Sequence, residues 1–126
     1  MSVVLVVDDN ERDLRLSSTL LIHAGHAVLG VEDAEKGLEL ARSAHPDLIL
    51  MDLILPGMDG WEAVAALKAD PATAAIPILV VSAFLGSQDQ EKALALGCVG
   101  WIAKPFNHVS FLETIGRALD GGVGRA

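Results

Sequence analysis

Four short apolar runs along this chain each end on a polar residue. Val3-Val4-Leu5-Val6-Val7 closes on Asp8 and Asp9, and Leu48-Ile49-Leu50-Met51 closes on Asp52. Ile78-Leu79-Val80-Val81 closes on Ser82, and Val99-Gly100-Trp101-Ile102-Ala103 closes on Lys104. Continuous, β-branched-rich runs separated by stretches of helical spacing mark parallel strands buried on both faces. A further run, Ala27-Val28-Leu29-Gly30-Val31, has the same character. The pattern predicts strands over 3–7, 27–31, 47–51, 76–81 and 99–103. Helices are predicted over about 11–24, 34–44, 61–69, 88–96 and 107–119.

Local chemistry supports these limits. Asp9 or Asn10 caps the first helix and Asp33 the second, while His45-Pro46 ends the second because the residue before proline disfavours helix. In the last helix, Val109, Leu112, Ile115 and Leu119 are expected to form the buried stripe. Strict alternation with right-handed crossovers predicts an α/β doubly wound sheet. Residues 1–120 read as one domain, and the glycine-rich stretch 121–126 as a short flexible tail.

Ligands in open parallel sheets bind outside the carboxyl ends of the strands. Asp8, Asp9, Asp52, Ser82 and Lys104 are therefore expected to share one crevice. Clustered carboxylates repel one another, and a hard cation relieves the repulsion. Mg²⁺, which takes oxygen ligands, suits the set. Asp9 and Asp52 are candidate direct ligands, Asp8 a direct or water-mediated one, and the backbone carbonyl of Ile54 a further oxygen. Capping alone would explain one acid at Asp9, but not two adjacent acids and a third at another strand end. Asp52 is the candidate nucleophile, since an Asp carboxylate can accept a phosphoryl group as a mixed anhydride. Lys104 offers an ammonium, first to Asp52 and then to a phosphoryl oxygen. The Ser82 hydroxyl and the backbone N–H of Ala83 are candidate hydrogen-bond donors to a phosphoryl oxygen.

Trp101 is either plain core or a half-buried ring near Ser82 that can swing. Glu11, Arg12, Asp13 and Arg15 read as a solvated helix face. His23, His26, His45 and His108 lack zinc-ligand spacing and are expected at the surface or at helix ends. Cys98 reads as a buried small hydrophobe.

Composition narrows the partners. A net charge of -8 without a basic stripe argues against direct nucleic-acid binding. A single cysteine precludes an intramolecular disulfide and fits a reduced, cytoplasmic compartment. No stretch approaches a membrane span, and Met1-Ser2 before the first apolar run is not a signal-peptide start.

These residues carry a resemblance. Over about 3–119 the chain resembles the receiver domain of two-component response regulators. The matching pieces are Val-Asp-Asp-Asn (7–10), Pro-Asp-Leu-Ile-Leu-Met-Asp (46–52), Leu-Pro-Gly-Met-Asp-Gly (55–60), Ile-Pro-Ile-Leu-Val-Val-Ser-Ala (76–83) and Lys-Pro-Phe (104–106). The resemblance implies a flavodoxin-like fold with strand order 2-1-3-4-5. It implies Mg²⁺ at Asp8, Asp9 and Asp52, and phosphorylation of Asp52 by a sensor histidine kinase or histidine phosphotransferase. Ser82 and Lys104 would read out the phosphate, and Trp101 would hold the aromatic switch position.

Such a chain is a switch rather than an enzyme, assisting only its own phosphorylation and autodephosphorylation. Its output to a downstream target protein would leave by the fourth helix, fifth strand and fifth helix. It would act as a monomer or a weak phosphorylation-dependent dimer. Two positions depart from the family's habit. Trp101 replaces the usual Tyr or Phe, and Ile54 stands where a polar residue is common, which points to slower phosphate loss. Ending without a basic output segment, the chain looks like a stand-alone receiver of the chemotaxis or cell-division type. Ser82-Ala83-Phe84 and Phe111-Leu112-Glu113-Thr114-Ile115 favour the latter.

Other readings share parts of this pattern. A haloacid-dehalogenase-type phosphatase needs a second Asp where Ile54 stands. A flavodoxin-type FMN site needs hydroxyls and glycines where Asp8-Asp9-Asn10-Glu11 stands. A phosphate-independent interaction module would have no use for the full polar set.

Overall fold

In the computed structural model, residues 2–83, 85–121 and 124–125 are described; Met1, Phe84 and tail residues 122, 123 and 126 lie outside them. Strands β1 (Val3–Val7), β2 (Ala27–Val31), β3 (Leu48–Asp52), β4 (Ile78–Ser82) and β5 (Gly100–Ala103) alternate with helices. The helices are α1 (Glu11–His23), α2 (Ala34–Ala44), α3 (Gly60–Ala69), α4 (Ser87–Ala95) and α5 (His108–Leu119). The strands pair in parallel in the predicted order, 2-1-3-4-5. A two-residue strand β6 (Gly124–Arg125) joins the outer edge of β5. The expected tail thus contributes a strand, because the edge of β5 offers unpaired backbone donors and acceptors.

Period-two alternation divides the core between the two faces of the sheet. Leu5, Val7, Ile49, Met51, Ile78 and Val80 point to one side, where Leu38 and Ala41 of α2, Val64 and Leu67 of α3 and Ala93 of α4 cover them. Val4, Val6, Leu48, Leu50, Leu79, Val81 and Ile102 point to the other, under Leu21 of α1 and Phe111, Ile115 and Ala118 of α5. Burial on both faces explains why these strands read as unbroken apolar runs.

The caps are side chains accepting from backbone N–H groups. Asn10, not Asp9, caps α1 through Asp13 N–H at 3.1 Å; Asp33 caps α2 and Asp59 caps α3. The α5 stripe differs from expectation. Val109 is 66% exposed, and the buried face is Phe111, Thr114, Ile115 and Ala118. Asn107 caps α5 and turns its first residues to solvent, while the Thr114 hydroxyl donates to Ser110 O at 2.8 Å and so tolerates burial. Leu112 and Leu119 pack at the margin of that core.

His23, His45 and His108 are exposed, whereas His26 is half-buried with an unpartnered Nδ1. Cys98 is buried as expected, and burial pushes its thiol pKa up to about 11. Among the described residues no helix is long and apolar enough to cross a membrane.

Candidate functional site

Strand register builds the site. Val7 pairs with Met51, so Asp8 and Asp52 emerge side by side from β1 and β3. Asp52 pairs with Val81 and Ser82 with Ala103, which brings the ends of β4 and β5 alongside. The backbone N–H of Lys104 then donates to Ser82 O at 2.9 Å. The Lys104–Pro105 bond is cis.

One ammonium ties these ends together. Lys104 Nζ donates to Asp8 Oδ2 at 2.8 Å, to Asp52 Oδ2 at 2.9 Å and to Asp13 Oδ2 at 2.9 Å. Its side chain is 13% exposed, and those of Asp8 and Asp52 less. Burial works against the ammonium, but the hydrogen-bonded carboxylates outweigh it and hold the Lys104 pKa above its usual value. Asp52 is pushed up to about 6, chiefly by burial and further by the charge of Asp8. The Ile54 N–H, which donates to Asp52 Oδ1 at 3.0 Å, and the Lys104 ammonium pull the other way.

Ligand oxygens of Asp8, Asp9 and Asp52 lie within 4.8 Å of one another, with Asp9 exposed and the others buried. A carboxylate set this close can hold a hard cation, and Lys104 supplies one positive charge against it. The site opens into a pocket of about 190 Å³ whose walls include Asp9, Asn10, Asp13, Ile54 and Ala83, with Asp52 and Lys104 at its polar floor. Ser82 is buried at the end of β4, and Ala83 rather than Ser82 lines the opening.

Alternation puts Ser82 in phase with Val80, the register partner of Trp101. Ser82 and Trp101 therefore share one face of the sheet, and Trp101 is half-buried against the core on the α2–α3–α4 side.

Asp13 is the correction. Its expected neighbours on a solvated face behave as predicted: Arg15 and Glu11 form an exposed pair at 3.4 Å. Asp13 instead turns into the site. No spacing signal marks it, since Asp9 precedes the Asn10 cap and lies outside the helix that carries Asp13.

Comparison with known proteins agrees with this geometry. The response regulator receiver domain family matches residues 4–116. The polar-differentiation response regulator DivK of Brucella ovis is 38% identical over 112 residues, which are 89% of this chain and 91% of that protein. The chemotaxis protein CheY4 of Vibrio cholerae superposes with a TM-score of 0.88 at 32% identity, covering 94% of this chain and 98% of that one. A CheY-like receiver domain protein of Methanospirillum hungatei gives a TM-score of 0.89 at 26% identity, covering 96% and 95%. The match runs from β1 into α5 and takes in every strand end that builds the crevice, so this chain belongs to the response regulator receiver domain family of two-component signalling.

Proposed function

We propose that this protein is a phosphorylation switch in which Asp52 accepts a phosphoryl group from a phosphohistidine. The donor would be a sensor histidine kinase or a histidine phosphotransferase. One observation carries the reading. Asp52 is nearly buried at the floor of an open pocket, with Oδ1 held by the Ile54 N–H and Oδ2 by Lys104. A nucleophile held in place at both oxygens needs little reorganisation to attack in line.

In the transfer, a lone pair of the Asp52 carboxylate forms the new O–P bond. The P–N bond to the donor histidine breaks, and the imidazole departs with a proton taken from its surroundings. A Mg²⁺ ion held by Asp8, Asp9, Asp52 and the Ile54 carbonyl would neutralise charge on the transferring oxygens. Lys104 exchanges its bond to Asp52 for one to a phosphoryl oxygen, and the Ala83 N–H and the Ser82 hydroxyl provide further donors. With a pKa near 6, Asp52 is largely ionised, and so nucleophilic, at neutral pH.

Drawing Ser82 toward the phosphoryl group frees space on the face it shares with Trp101. Rotation of that ring would carry the change to α4, β5 and α5, where a target protein reads it as a population shift. DivK and CheY4, named respectively for polar differentiation and chemotaxis, support a signalling role. We place the protein in the cytoplasm as a monomer or weak phosphorylation-dependent dimer. The Ile54 side chain, 57% exposed at the pocket mouth, would shield the acyl phosphate from water and slow its loss.

A test uses phosphoramidate, a small P–N donor, with Mg²⁺. Phosphate should become protein-bound and be released by hydroxylamine, as an acyl phosphate is. Label that resists hydroxylamine would place it on a hydroxyl and refute the assignment to Asp52.

A further inference from the structure

An ammonium has three N–H donors, and those of Lys104 all meet carboxylates: Asp8, Asp52 and Asp13. The first two also belong to the group able to hold a cation, but Asp13 does not. Asp13 sits in the first turn of α1, where its own N–H is bonded to the capping Asn10 side chain at 3.1 Å. The start of the helix therefore fixes the backbone from which its carboxylate reaches Lys104. Its side chain is 31% exposed, so it stands at the wet edge of the site while Asp8 and Asp52 are enclosed.

We propose that Asp13 is the positioning residue for Lys104, the carboxylate that keeps hold of the ammonium when its other two partners change. The proposal rests on the receiver reading. Transfer turns the Asp52 carboxylate into a mixed anhydride, which carries no charge of its own on the former carboxylate oxygens. The phosphoryl oxygen then takes one Lys104 donor in place of Asp52. Asp8, shared with a divalent cation, becomes a poorer acceptor. Asp13 undergoes neither change. It remains a full carboxylate on a helix end, in contact with a cation carried by a flexible four-carbon stem. Anchored there, Lys104 meets the phosphoryl group already oriented. Without the anchor, the stem must be ordered each time at the expense of phosphoryl binding.

The probe is beryllofluoride with Mg²⁺, which mimics the phosphoryl group, and affinity is read by titration. Asp13→Asn keeps size and removes the charge. Its affinity for the mimic should fall roughly threefold to tenfold, as expected for loss of a partly exposed charge-assisted contact. A double-mutant cycle provides a readout that a general structural defect would not mimic: in a Lys104→Met background, Asp13→Asn should cause little further loss. The Lys104 ammonium ¹⁵N signal should be sharp in the wild type, where three carboxylates hold it, and broaden in Asp13→Asn. Unchanged or tighter mimic binding by Asp13→Asn, with the wild type binding normally, overturns the positioning role alone and makes Asp13 a bystander or a competitor. A wild type that binds no mimic overturns the receiver reading and this assignment with it.

Discussion

A Cβ placed on Gly60 would fall onto the carbonyl oxygen of Asp52 and 2.6 Å from Leu53 Cα. Gly60 opens α3, and its N–H donates to Leu53 O at 3.1 Å. The helix start is thus pressed against the backbone that presents Asp52, and only a residue without a side chain permits the approach.

Gly60→Ala is therefore expected to destabilise the fold by about 2–3 kcal/mol, because backbone rather than a flexible side chain must yield. Gly116→Ala is the counterpart, since nothing lies within 4 Å of a Cβ there and the position is inside α5. That variant should gain about 0.5–1 kcal/mol from helix propensity and a less flexible unfolded chain. Urea unfolding of both proteins measures the opposite signs. A Gly60→Ala midpoint equal to wild type would mean the helix start can shift freely.

The raised pKa of Asp52 predicts a pH dependence in the metal-free protein. The group titrates near 3.8 when unfolded and near 6 when folded, so the folded state holds the extra proton between them. Its contribution to stability is complete below about pH 4 and is lost as pH rises to about 6. Asp52→Asn abolishes this loss. At pH 7 the variant should be more stable than wild type by on the order of 1 kcal/mol, discounted for pocket water and a weakened Lys104 contact, with the advantage gone near pH 4. Urea unfolding across that range checks it; a constant difference between the two proteins would contradict the shift.

Much of the site was legible because strand register is a local property with a global consequence. Each apolar run in 3–7, 48–51, 78–81 and 100–103 ends within one residue of its strand's end, so the polar residues that follow meet. Asp13 was not legible from composition or amphipathicity. It looks like any helix-surface acid, and its partner lies 91 residues away. Gly60 was visible only as the end of the Leu-Pro-Gly-Met-Asp-Gly motif (55–60), since the contact it permits is with backbone. Val109 was misplaced because helical periodicity alone does not reveal that the Asn107 cap turns the first residues of α5 outward. Strand β6 was hidden in a glycine-rich stretch whose pairing depends on the open edge of β5.

Mg²⁺ should stabilise the fold by mass action, by about 1.4 kcal/mol at ten times its dissociation constant. Asp9, the exposed member of the carboxylate group, can be changed without opening the core. Asp9→Asn should fold normally and lose most of the Mg²⁺-dependent rise in melting midpoint. Equal rises in the two proteins would remove Asp9 from the metal set.

Propagation to Trp101 has its own test. Trp61, whose ring lies 4.6 Å below the Lys92 ammonium, is replaced by Phe, leaving Trp101 as the sole indole. Beryllofluoride with Mg²⁺ should shift its emission, and Ser82→Ala should suppress the shift. An emission that stays fixed while mimic binding is demonstrated would make Trp101 ordinary core.

The central claim, that Asp52 is the phosphoacceptor of a receiver switch, is tested most directly by intact mass after incubation with a small phosphodonor and Mg²⁺. The account predicts one added phosphoryl group on the wild type and none on Asp52→Asn. An Asp52→Asn protein that gains the same mass at the wild-type rate would contradict it.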